Sequence, residues 1–93
     1  MTYYVYAMGP ENSSTVKIGF TNNLETRRKT IQTGHPEKIV IHHFIELDTE
    51  KKMRKIEKKL HETLRHLRNR GEWFNISPEN AKLELDYAII LNS

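Results

Sequence analysis

Ninety-three residues make room for one modest hydrophobic core, so a single domain over residues 1–93 is expected. The chain has no cysteine, which excludes disulfide frameworks, zinc ribbons, iron–sulfur clusters and thiol nucleophiles. Its net charge of +3 is unevenly spread: residues 50–71 carry nine Lys or Arg against three acids, and the rest carries six against nine. Such a block is either a solvated helix face or a phosphate-binding stripe. No apolar run reaches the roughly 18 residues of a membrane span, and the N-terminus lacks the basic-then-apolar pattern of a signal peptide. A cytoplasmic setting without membrane contact is the expectation.

Thr2 to Met8 is rich in Tyr and Val and reads as a strand. Alternation puts Tyr4, Tyr6 and Met8 on one face and Tyr3, Val5 and Ala7 on the other. A polar loop over Gly9 to Thr15 leads to a second strand, Val16 to Phe20, with Lys17 and Gly19 opposite Val16, Ile18 and Phe20. The short link predicts an antiparallel hairpin. A helix follows, with Asn22 as its cap, Glu25 in the capping-box position, and Gly34 and Pro36 as its stop. Ile39 to Leu47 reads as a third strand, with Ile39, Ile41, His43, Ile45 and Leu47 on one side. The longest helix is expected from Thr49 or Glu50 to Arg68 or Asn69, with Met53, Ile56, Leu60, Leu64 and Leu67 as its apolar stripe. Glu57 and His61 lie along one edge of that stripe. Ser77 and Pro78 open a last helix over Pro78 to Leu91. The order β-β-α-β-α-α predicts an α+β fold: a small, mostly antiparallel three-stranded sheet flanked by helices.

Several residues recur at telling intervals. Tyr4-Val5-Tyr6 ends the first strand, and Lys17-Ile18-Gly19 lies in the second. Arg27 follows Asn23-Leu24 in the first turn of the helix, and Glu57 sits in the later Ile56-Glu57-Lys58-Lys59-Leu60-His61. This resembles the GIY-YIG nuclease superfamily, in the branch of small phage and meiotically up-regulated proteins where Lys-Ile-Gly replaces Tyr-Ile-Gly. Gln32-Thr33-Gly34-His35-Pro36 and Gly71-Glu72-Trp73-Phe74 look like that branch too. The likeness runs from Tyr4 to Phe74 and implies a GIY-YIG-like fold.

The resemblance implies roles. Tyr6 would be the base that activates water, assisted by Lys17. A free phenol has a pKa near 10, so nearby cations would have to lower it. Arg27 would clamp the phosphate, and His61 would stand near the reacting groups. Glu57 would bind one divalent ion, Mg²⁺ or Mn²⁺, completed by substrate phosphate oxygens. Tyr4 and Gly19 are motif positions of structural kind. Arg28, Lys51, Arg54, Lys58, Arg65 and Arg68 would hold the nucleic-acid backbone, most of them on the long basic helix. The Asn that relatives place after the metal Glu has its nearest match in Asn75. Without the resemblance these are a strand tyrosine, a solvated lysine, a surface arginine pair and a helix carboxylate paired with His61 four residues on. His42 and His43 fall on opposite strand faces and do not share an ion.

The expected function is a metal-dependent DNA endonuclease or nicking enzyme with weak sequence specificity, DNA being its partner. The alternatives are a DNA-binding module of the same fold without cleavage, and a phage-derived protein that binds a host protein. A homodimer or a protein partner would supply specificity that this chain lacks.

Overall fold

The computed structural model describes residues 1–92. In chain order it contains β1 (Tyr3–Pro10), β2 (Thr15–Thr21), α1 (Leu24–Thr33), β3 (Ile39–Leu47), α2 (Glu50–Thr63), a 3-10 turn (Arg65–Leu67), β4 (Arg68–Arg70), β5 (Trp73–Asn75) and α3 (Pro78–Leu91). The sheet has five antiparallel strands in the order β3-β1-β2-β5-β4, which corrects the expected three. The two added strands are three residues each, and Arg68-Asn69-Arg70 is exposed throughout, so neither apolar alternation nor length announced them. Gly71, at φ 58°, supplies the left-handed residue that turns β4 into β5. Among the described residues no helix is long and apolar enough to cross a membrane.

Both faces of the sheet are covered. Val5, Ala7, Val16, Ile18 and Phe74 point to one side and meet Met53, Ile56, Leu60 and Leu64, together with Ala81, Leu85 and Ala88 of α3. Tyr6, Met8 and Ile39 point to the other and pack with Leu24 and Ile31 of α1 and with Trp73. The expected single face of β3 is corrected by a bulge. Ala7 pairs with His43 but Met8 pairs with Ile41, so one residue is skipped and the alternation inverts. Ile45 and Leu47 therefore join the larger core, while Ile39 and Ile41 join the smaller one. His42, the skipped residue, bonds the carbonyl of Pro10 at 3.2 Å, and His43 reaches Asp86 of α3 at 2.6 Å.

The helices begin where side chains satisfy their first amides. Thr49 accepts from the Lys52 amide, and Ser77 from that of Asn80 with Pro78 just inside the helix. For α1 the cap is Asn23, accepting from the Thr26 amide at 3.0 Å; this corrects the expected Asn22. The reason lies one residue earlier: the buried Thr21 hydroxyl accepts the Asn23 amide and fixes that turn. The long helix is shorter than expected. It ends at Thr63, and Leu67 continues the apolar contact from the 3-10 turn instead. A basic helix reaching Arg68 is thus corrected to a basic helix followed by a basic strand.

Candidate active site at the open edge of the sheet

β5 pairs with β2 only at Thr15, Val16 and Lys17. Past Lys17 the outer edge of β2 has no neighbouring strand, and other groups complete its hydrogen bonds. The Ile18 amide donates to the Glu72 carbonyl at 3.0 Å, and the His61 ring donates through Nε2 to the Ile18 carbonyl at 2.8 Å. At this gap side chains from both faces of the sheet come together. Tyr6 and Lys17 arrive from the α1 side, Glu57 and His61 from α2 on the other side, and Glu72 from the turn between β4 and β5.

Gly19 makes the meeting sterically possible. It lies directly opposite Tyr6, and a Cβ there would stand 2.5 Å from Tyr6 Oη, 2.8 Å from Cζ and 3.2 Å from Glu72 Oε1. The phenol therefore lies across the glycine, and the Glu72 carboxylate borders the same space. Tyr6 is 1% exposed, yet its hydroxyl bonds no described residue.

The charges are tightly arranged. Lys17 Nζ is 3.5 Å from Glu72 Oε1 and 5.6 Å from the centre of the Trp73 ring. Glu57 Oε2 is 3.2 Å from His61 Nε2, and the imidazole stands edge-on to Phe74 at 4.9 Å. Ligand atoms of Glu57, His61 and Glu72 all lie within 4.8 Å of one another. Burial pushes the Glu57 pKa up; His61 pulls it down, and the Glu72 carboxylate pushes it up again. The Tyr6 phenol is also raised, by burial first and by Glu72 second, against a downward pull from Arg27 and a further upward push from Glu57. The expected cationic lowering of this phenol is thereby corrected. Its physical cause is burial of the phenol first, reinforced by the Glu72 and Glu57 carboxylates against the pull of Arg27, while the Lys17 ammonium is turned to Glu72.

Arg27 is exposed in the first turn of α1, is close enough to Tyr6 to favour its phenolate, and makes no ion pair with a described residue. Its neighbour Arg28 is engaged, with Nη2 2.7 Å from Glu25 Oε1. Tyr4 shares the Tyr6 face but packs edge-on against Phe44 at 5.6 Å, outside the cluster. Arg54 lies over the Phe20 ring at 5.3 Å and pairs with Glu50. Lys51 and Lys58 are exposed on the same flank of α2, while Arg65 and Arg68 belong to the 3-10 turn and β4. Asn75 pairs with Thr15 at the far end of β5 and takes no part. Glu72 stands in the cluster instead. The sequence held a signal for it in Gly71-Glu72-Trp73-Phe74, but nothing in spacing alone could fold that turn back onto β2.

Two clefts lie away from this cluster, between α2 and α3. A shallow edge of this kind suits a long polymer better than an enclosed small molecule. No curated protein and no solved structure matches the chain. The T5orf172 domain matches residues 2–86, nearly the whole length. The chain belongs to the T5orf172 domain family, a phage-associated group of nuclease-type and DNA-interacting domains.

Proposed function

We propose that this chain is a metal-dependent DNA endonuclease or nicking enzyme of the GIY-YIG type, acting through the cluster at Gly19. The observation that carries the reading is the convergence of the Tyr6 hydroxyl, Glu57 and Glu72 on one unpaired strand edge, with an uncommitted Arg27 nearby.

The donor set fits a hard divalent cation. Glu57 and Glu72 face each other in a half-buried setting, where burial and the neighbouring Glu72 carboxylate disfavour the charged form of Glu57. A cation relieves both costs, and oxygen donors suit Mg²⁺ or Mn²⁺. Glu57 and Glu72 would hold it. His61 is committed through Nε2 to the Ile18 carbonyl, so it positions Glu57. When bound, the ion polarises a phosphate oxygen and neutralises the paired acids. Arg27 forks onto the phosphate and favours the phenolate form of Tyr6, which takes the proton of the attacking water. Lys17 supplies a second positive charge beside the phosphodiester. Lys51, Arg54, Lys58, Arg65 and Arg68 follow the backbone, contacts that position nucleic acid without carrying sequence information directly.

Nicking of supercoiled plasmid in Mg²⁺ or Mn²⁺ tests this. Wild type is expected to convert it, and Glu57→Gln or Arg27→Ala to lose on the order of 10²–10³ in rate. Intact plasmid at large protein excess, with retained binding, decides for a second reading. That reading is a DNA-binding module without cleavage, favoured by the raised pKa of Tyr6 and by the Lys17–Glu72 pair that occupies the lysine.

A further inference from the structure

We propose that α3, with the cleft between α2 and α3, is an isologous interface through which two copies of this chain pair. α3 is apolar on two sides. Ala81, Leu85 and Ala88 face the core, and Leu83, Tyr87, Ile90 and Leu91 face outward at 65%, 59%, 68% and 63% exposure. Spacings of four, three and one gather these four onto one arc of about 100°. They account for four of the six large apolar side chains that are exposed among the described residues. A contiguous outward stripe of this size on a small protein marks a contact surface.

The stripe borders a groove. Two adjoining cavities of about 280 and 370 Å³ run between the helices, floored by Leu60, Leu64 and Ala88. Lys59 and Thr63 line the first beside Leu91, and Leu67 and His66 the second beside Leu83, so α2 and α3 run antiparallel. Ridge beside groove is the geometry of helix-in-groove recognition, with both halves on one molecule.

Charge layout selects a second copy as the occupant. Lys59 stands at the Leu91 end of the groove, and Glu84 lies nearer the Leu83 end. Neither makes an ion pair or hydrogen bond with a described residue. A twofold axis at Tyr87 runs the two α3 helices antiparallel, sets Leu83 of one copy against Leu91 of the other, and brings like flanks together. Lys59 of each copy then faces Glu84 of the other, closing two ion pairs at once. A second copy meets both charges with the same two residues. Glu57 and His61 lie on the opposite flank of α2, so both strand edges stay open in the pair.

Sedimentation equilibrium on the whole chain tests the interface, with circular dichroism to show that each variant is folded. Wild type is expected to reach twice the monomer mass as concentration rises through the micromolar range. Tyr87→Asp, which places two like charges on the axis, is expected to stay monomeric. Lys59→Glu and Glu84→Lys are each expected to weaken pairing about tenfold. Mixing those two single variants is expected to restore it, because the mixed pair regains both contacts. A wild type that is monomeric up to about 1 mM overturns the proposal, as does a dimer indifferent to these variants or a mixture no tighter than its components. None of these readouts depends on nuclease activity.

Discussion

Gly19 is a residue whose importance lies in what it lacks. Ala at this position puts a methyl 2.5 Å from Tyr6 Oη, so the phenol ring must move. If the ring is displaced by about 1 Å, plasmid nicking is expected to fall on the order of 10²-fold, and because the ring is buried the thermal midpoint falls as well, by an overpacking cost of about 1–3 kcal/mol. Glu57 gives a prediction with a definite sign. Its folded pKa lies above the ordinary 4.5, so between those two values the folded state holds more protons than the unfolded chain. Stability therefore falls as pH rises through that window. Glu57→Gln is expected to melt above wild type at pH 7 in the absence of divalent ions, with the gap closing as pH approaches 4.5. Differential scanning calorimetry in a chelating buffer reads this, and a variant that melts below wild type at pH 7 contradicts it. Individual residues were legible in unequal measure. Tyr6, Lys17, Gly19 and Glu57 could be named because their motifs resemble those of the GIY-YIG superfamily, with strand alternation and helix periodicity giving only the faces they lie on. Glu72 could not, because its place depends on a turn and on a three-residue strand. The direction of the Tyr6 pKa was also hidden, since it is set by burial and by that same glutamate.

Elements were read well where the pattern was long. β3 and α3 have the bounds that periodicity and punctuation predict. The errors fall at ends and irregularities. The apolar stripe of α2 continues to Leu67 at helical spacing, but Leu64 already closes the helix and Leu67 reaches the core from a tighter turn. The β3 bulge escaped notice because Ile39, Ile41, Ile45 and Leu47 alternate without interruption, and the skipped residue makes two cores out of one apparent face. Helix α1 buries no residue fully, so its start leans on capping more than on packing. Asn23→Ala is expected to cost about 1 kcal/mol. Because the same turn aims Arg27, nicking by this variant is expected to fall further than its fold does. Parallel melting curves and rates separate the two effects.

For the whole molecule, positive charge is split between the outer flank of α2 and the β4 edge. The expected single stripe becomes two patches, separated where the helix ends at Thr63. Binding to DNA should then weaken steeply with salt, and Lys58→Ala is expected to reduce the slope of log K against log salt by roughly one phosphate contact. Fluorescence anisotropy at several salt concentrations measures it; an unchanged slope removes α2 from the interface. The brevity of β5 has a wider consequence. Had that strand begun a few residues before Trp73 and so accompanied Gly19 and Phe20, a complete backbone ladder would have walled off the acids and the phenol from each other. An insertion that lengthens the β4–β5 hairpin should act as a zipper, giving a sturdier sheet with nothing left to offer a ligand. In this protein an unfinished seam is what lets those side chains meet.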